Sequence, residues 1–157
     1  MALLGNIIWF LLGGWALFIA YSIAAVLFFP IFLPIFRIAV YSLFPFGKKI
    51  ISKNTLNKYR ELNGESARET IGIKIGGLFN LIWILTFGWL LALTHLLACF
   101  ANLLSCILVF TIPFALPNAL GNWKMVRVAF MPLNTVIVPT DLADEIDKEV
   151  IKGKLMI

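Results

Sequence analysis

A chain of 157 residues with 61% hydrophobic side chains, 13% charged ones and a mean hydropathy of +0.96 is far poorer in charge than a soluble domain, which carries about 25%. Such a composition excludes a water-soluble fold and places the chain in a lipid bilayer. The net charge of +5 is distributed by segment rather than along a folded stripe, so it does not mark a nucleic-acid surface.

From Ala2 to Phe36 no side chain is charged. A spanning helix needs about 20 apolar residues, so this stretch exceeds one crossing and has material for two. It lacks a basic n-region, and its apolar run outlasts the roughly 7–15 residues of an h-region, so it does not read as a cleavable signal peptide. It opens with the phrase NIIWFLLGGW, Asn6 to Trp15. Asn6 either caps the helix start or bonds to another helix in the bilayer. Trp9 and Trp15 read as interfacial anchors or packing residues. Ala16, Ala20 and Ala24 put a small side chain at every fourth position, a spacing that lets helices approach closely. That stripe, and the small bundle that about four crossings would make, predict a homo-oligomer.

Residues 31–46 would extend about 24 Å as a helix, short of the roughly 30 Å hydrocarbon core. They are predicted to form a short arm returning to the cytoplasm or a re-entrant piece. Arg37 lies in this apolar segment, where a cation needs a reason: snorkelling to lipid phosphates, or a role in an anion path or headgroup site. Seven basic side chains then fall within 47–77 (Lys48, Lys49, Lys53, Lys58, Arg60, Arg68, Lys74) against Glu61, Glu65 and Glu69. The positive-inside rule makes this loop cytoplasmic. Asn63-Gly64 marks a turn in it, and both a docking surface and a solvated linker remain open readings.

A second uncharged run reaches from Ile75 to Trp123. It contains NLIWILTFGW, which repeats the opening phrase at Asn6/Asn80, Ile8/Ile82, Trp9/Trp83, Leu11/Leu85, Gly14/Gly88 and Trp15/Trp89. His95, Cys99, Asn102 and Cys106 follow at i, i+4, i+7 and i+11, on one helical face. Imidazole and thiolate one turn apart can hold a soft metal, but this face alone does not complete a four-coordinate site, so neither metal nor cofactor is expected. The face reads as satisfied polar residues inside the bundle, or as the lining of a pore between copies. The two cysteines would have alpha carbons about 10 Å apart, too far for a disulfide. Lys124 and Arg127 pose the same question as Arg37. FRIAVYSLFPFGKKII (Phe36 to Ile51) parallels WKMVRVAFMPLNTVIV (Trp123 to Val138), with Arg37 over Lys124 and Pro45 over Pro132. The offset between the copies is larger over this later phrase than over the opening one, so the second copy carries extra residues in its middle. From Thr140 the chain turns mildly acidic.

The predicted fold class is an all-α membrane protein of two repeated units, each a long transmembrane helix plus a short proline-bounded hairpin or re-entrant segment. The boundaries are 1–52 for the first membrane unit, 53–75 for a basic cytoplasmic loop, 76–139 for the second unit and 140–157 for a cytoplasmic tail. GGLFNLIWILTFGWLLALTHLL (Gly76 to Leu97), TIPF (Thr111 to Phe114) and LFPFGKKII in the first unit resemble the YccF family. The resemblance implies a multi-pass component of the bacterial inner membrane with two such units and no agreed activity. Ala115 departs from the IPFG that members usually read, and Asn134 stands where the first unit has Gly47.

No serine–histidine–carboxylate set and no phosphate loop appears, and no acid lies in an apolar run, so neither an enzyme nor a proton-coupled pump is expected. Two functions compete. One is an oligomeric anion or small-solute pore contacted by Arg37, Lys124, Arg127, His95 and Asn102. The other is a non-conducting structural or regulatory component acting on a cytoplasmic protein partner through its loop. Ala16, Ala20, Ala24, Asn6 and Asn80 are assigned to helix packing. Parallel and inverted arrangements of the two units both fit the sequence.

Overall fold

The computed structural model describes residues 2–66 and 70–155, with backbone alone for 70–74 and 154. Arg68 and Glu69 of the basic loop lie outside the described residues, as do the side chains of Lys74 and Lys154. The chain divides into two compact units, Met1–Phe46 with Trp83–Pro132, and Gly47–Ile82 with Leu133–Ile157.

The first unit contains helices α1 (Ala2–Trp9), α2 (Trp15–Leu27), α3 (Phe32–Leu43), α6 (Trp89–Ser105) and α7 (Ile112–Phe130). Single π-helical turns, Phe10–Gly14 and Ile84–Gly88, lead into α2 and α6. Short 3-10 turns, Phe29–Ile31 and Val109–Thr111, lead into α3 and α7. Two helices are long and apolar enough to cross a bilayer, Ala2–Leu27 and Ile75–Ser105, with mean hydropathies of 2.1 and 2.0. Only 17% and 22% of their most apolar windows are buried. The core helix of a soluble protein would bury most of such a stretch, whereas here Leu11, Leu27, Leu85 and Leu104 all stand exposed. Hydrocarbon is the solvent that can cover them.

Helix α2 packs on α3 and α6 packs on α7. The extra residues of the second half lengthen both of its arms: α6 has 17 residues against 13 in α2, and α7 has 19 against 12 in α3. Both π turns seat a tryptophan. A wider turn brings residue i+5 over residue i, and in each case i is Trp and i+5 is Gly. A Cβ added at Gly14 would lie 2.6 Å from Trp9 Cδ1, and one at Gly88 2.6 Å from Trp83 Cδ1. The first helix also kinks at Gly13, whose φ of 142° suits only glycine.

The described residues are mostly helical, in keeping with the all-α expectation, and the second unit adds one two-stranded ladder. It holds strands β1 (Lys48–Ser52) and β2 (Thr135–Pro139), with helices α4 (Lys53–Leu62), α5 (Thr70–Trp83) and α8 (Thr140–Leu155). The strands pair antiparallel, Lys48 opposite Pro139, Ile50 opposite Ile137 and Ser52 opposite Thr135. Gly47 (φ 81°) and Asn134 (φ 60°) turn the chain into β1 and β2. Asparagine tolerates this left-handed conformation, so the departure from glycine at 134 leaves the turn intact. Ser52 caps α4 by accepting from the Thr55 N–H at 2.9 Å. Ile51, Ala143, Ile146 and Val150 form a core, with Leu56, Tyr59, Val136 and Val138 packed against it. The stretches read as a separate loop and tail thus belong to one folded body, and the chain is grouped differently from the boundaries 1–52, 53–75, 76–139 and 140–157.

The tryptophan seats make a direct test. Gly88→Ala forces a methyl group to within 2.9 Å of the Phe130 carbonyl oxygen as well as onto Trp83, an overpacking that costs about 1–3 kcal/mol. Gly77→Ala, where the nearest atom is 4.0 Å away, is the control. Thermal unfolding in detergent should show a lower midpoint for Gly88→Ala alone; equal midpoints would refute the seat.

Candidate functional site

The repeated phrase is explained by what its side chains bond. Asn6 Oδ1 accepts from the Phe46 N–H (2.9 Å) while its Nδ2 donates to the Phe46 carbonyl (3.1 Å). Asn80 makes the same pair of bonds with Leu133, at 2.9 and 2.8 Å. Both asparagines sit inside helices, so the capping alternative does not hold; each amide secures another stretch of chain. One turn on, Trp9 Nε1 donates to the Ser42 carbonyl (2.6 Å) and Trp83 Nε1 to the Ala129 carbonyl (2.9 Å). Ser42 and Ala129 lie in the last turns of α3 and α7, where carbonyls have no partner within the helix. Trp9 and Trp83 are therefore buried, while Trp15 and Trp89, at 49% and 50% exposure, face outward.

A polar array runs through the apolar unit between α2, α6 and α7. Asn122 Nδ2 donates to the Asn118 carbonyl at 3.0 Å, which turns Asn122 Oδ1 toward His95 Nδ1, also 3.0 Å away. In this network Nδ1 carries the proton, and Nε2 accepts from the Tyr21 hydroxyl at 3.0 Å. Asn118 Nδ2 continues to Asn102 Oδ1 (3.1 Å), and Asn102 Nδ2 to the Ala98 carbonyl (2.7 Å). The Cys106 thiol reaches the Asn102 carbonyl at 3.5 Å. The predicted face His95–Cys99–Asn102–Cys106 exists, but His95 and Cys99 are buried inside one chain and cannot line a pore between copies. Both imidazole nitrogens are engaged, leaving no lone pair for a metal. No group of three or more metal-ligating side chains occurs among the described residues.

The predicted cations differ in exposure. Lys124 is half-buried, donates to the Pro45 carbonyl at 3.0 Å and lies 5.8 Å above the Phe46 ring. Arg37 and Arg127 are exposed. Of the small-residue stripe, Ala16 and Ala20 are exposed and Ala24 half-buried; Tyr21 and Ala25 are what α2 buries. In the second unit the basic stretch meets the acidic helix: Lys49 pairs with Asp144, and the Tyr59 hydroxyl donates to Glu145 at 3.2 Å. The bond to Asp144, outweighing desolvation, raises the Lys49 ammonium above its usual range, and the bond to Glu145 raises the Tyr59 phenol. Both pairs are solvent-exposed, so they orient more than they stabilise.

Sequence reasoning missed Tyr21, Asn118 and Asn122. Tyr21 carried a signal, since its offset to His95 is the same one that relates Asn6 to Asn80. Asn118 and Asn122 are i, i+4 amides in an otherwise apolar run, a pattern that calls for bonding within the bilayer.

Comparison with known proteins follows the same stretches. The profile of the YccF family, described as an inner membrane component domain, matches residues 4–48 and 78–135. The chain is 28% identical to Inner membrane protein YccF of Escherichia coli (strain K12) over 88% of each chain. It is equally similar to the protein of the same name from Shigella flexneri. No solved structure matches significantly.

Replacing Asn122 by Leu strands the His95 Nδ1–H in an apolar interior, at a cost of about 1–3 kcal/mol. Replacing His95 by Phe as well should recover part of that loss, because the stranded imidazole donor is gone and the Tyr21 hydroxyl is the one group left without its acceptor. Equilibrium unfolding of the two single variants and the double should reveal this coupling. Strict additivity would mean that the His95–Asn122 bond contributes nothing.

Proposed function

The chain belongs to the YccF family of inner membrane components, and from that premise we propose that it is a non-conducting protein of the bacterial inner membrane. It is held there by two hairpins that enter from the cytoplasm, and it acts through the folded body of Gly47–Ile82 and Leu133–Ile157 on a cytoplasmic protein partner. The carrying observation is that body itself. A solvated linker and a free tail would have no reason to share a core of Ile51, Ala143, Ile146 and Val150.

The doubled contacts support two equivalent halves inserted in the same sense. The strand ladder is centred on Ile50 opposite Ile137, two residues that the repeat aligns with one another. Its ends match too, with Lys53 N–H bonded to the Asn134 carbonyl and Thr140 N–H to the Gly47 carbonyl. Equivalent residues facing one another across a ladder is what a local two-fold produces. Because both strands belong to one sheet, the chain that leaves at Ser52 returns to the same side by Thr135. This favours parallel over inverted halves, and the lysines of β1 favour the cytoplasm.

Non-conduction is supported by the polar array, whose groups bond to one another and offer water no path in a single chain. The exposed Arg37 and Arg127 favour a second reading, an anion pore between copies. Purified protein in chloride-loaded liposomes decides between them. We expect no efflux above that of empty liposomes; efflux that disappears in Arg37→Ala would establish the pore instead. Asn63→Cys should react with an impermeant maleimide only after cells are opened.

A further inference from the structure

We infer that the turn closing each hairpin ends inside the hydrocarbon of the far leaflet, so that its surface is fitted to acyl chains and no part of either turn reaches water. The inference rests on the proposed entry of both hairpins from one side. Its first support is chemical. The first turn reads Phe28-Phe29-Pro30-Ile31-Phe32, and the second runs Cys106-Ile107-Leu108-Val109-Phe110-Thr111, without a charged residue in either. Turns in water are built from Gly, Asn, Asp and Ser because their exposed backbone and side chains must be hydrated. Here the most exposed positions are Phe29 (78%), Ile107 (77%), Phe110 (76%) and Val109 (75%).

Second, much of the backbone of both turns is satisfied from within, as irregular chain at membrane depth requires. The N–H groups of Phe28 and Ile31 meet the carbonyls of Ala24 and Phe28, each at 2.9 Å. Those of Cys106, Ile107 and Leu108 meet the carbonyls three residues back, each at 3.1 Å, and Thr111 N–H meets Leu108 at 2.8 Å. Pro30 brings no N–H at all. The polar side chains comply: Ser105 donates to Ala101 (2.9 Å) and Thr111 to Leu108 (2.7 Å).

Third, the return arm of the first hairpin is short. Helix α3, with 12 residues, rises about 18 Å against a hydrocarbon core of about 30 Å. Its Phe29–Ile31 turn adds little, so the first hairpin stops short of the far surface; the second rests on its sequence and its internal bonds.

The test uses the full-length protein. In a Cys99→Ala, Cys106→Ala background, Pro30→Cys, Phe29→Cys and Val109→Cys are offered an impermeant maleimide, first in spheroplasts and then in opened membranes, with Asn63→Cys alongside. Native Cys106 in a Cys99→Ala chain provides a turn position free of new substitution. We expect the turn cysteines to stay at background in both conditions while Asn63→Cys labels on opening. Spin labels at the turn positions should be relaxed by oxygen and not by a water-soluble nickel chelate. Labelling of a turn cysteine in intact spheroplasts, or relaxation by nickel, would overturn the inference. Failure of Asn63→Cys to label only on opening would instead strike at the proposed cytoplasmic entry.

Discussion

A helix-end carbonyl that lacks a donor within its own helix is the constraint on which this molecule is organised. Each return arm ends in such carbonyls, and each is met by an indole N–H from the neighbouring long helix, with an asparagine amide holding the chain just beyond. A tryptophan one turn after an asparagine reaches two points of the same exiting chain. A glycine five residues after the tryptophan clears room for its ring, and the π turn supplies the phase. The phrase recurs because the same problem, a helix end whose last carbonyls need outside donors, occurs twice.

Much of this was present in the sequence, but only as pattern. The two apolar runs and the duplicated phrase were plain, and they pointed to the two long apolar helices, Ala2–Leu27 and Ile75–Ser105. What the pattern left out was which atoms the duplicated residues serve. Asn6 could be read either as a cap or as a bond to another helix, and its partner lies 40 residues away. The strands were hidden for a different reason. KKIIS and TVIVP are rich in β-branched residues, but at the border of apolar runs they read as the last turns of membrane segments. Their pairing joins stretches that no local signal connects.

Polar residues in a membrane protein invite a reading as a pathway, and geometry separates the cases. A pathway offers its groups to a passing solute, so some of their hydrogen-bonding capacity is open. Here Tyr21, His95, Asn122, Asn118 and Asn102 form a directed series of donors that terminates on a backbone carbonyl. An amide in the series passes no proton onward. What the array does is hold α2, α6 and α7 in register where apolar packing, equally satisfied by lipid, would not.

The ladder carries a consequence for synthesis. Strand β1 emerges from the ribosome well before its partner, since most of the second hairpin is encoded between Ser52 and Thr135. At about 5–20 residues per second, an interval of roughly 80 residues lasts on the order of 4–16 s. During it a segment with two adjacent isoleucines has neither the second strand nor α8 to cover it. Lysines at 48 and 49 are what keep such a waiting edge soluble and unpaired. Helix α8 is thus the one that closes the body, and a ribosome that stops before Thr140 leaves the core of Ile51, Ala143, Ile146 and Val150 unbuilt.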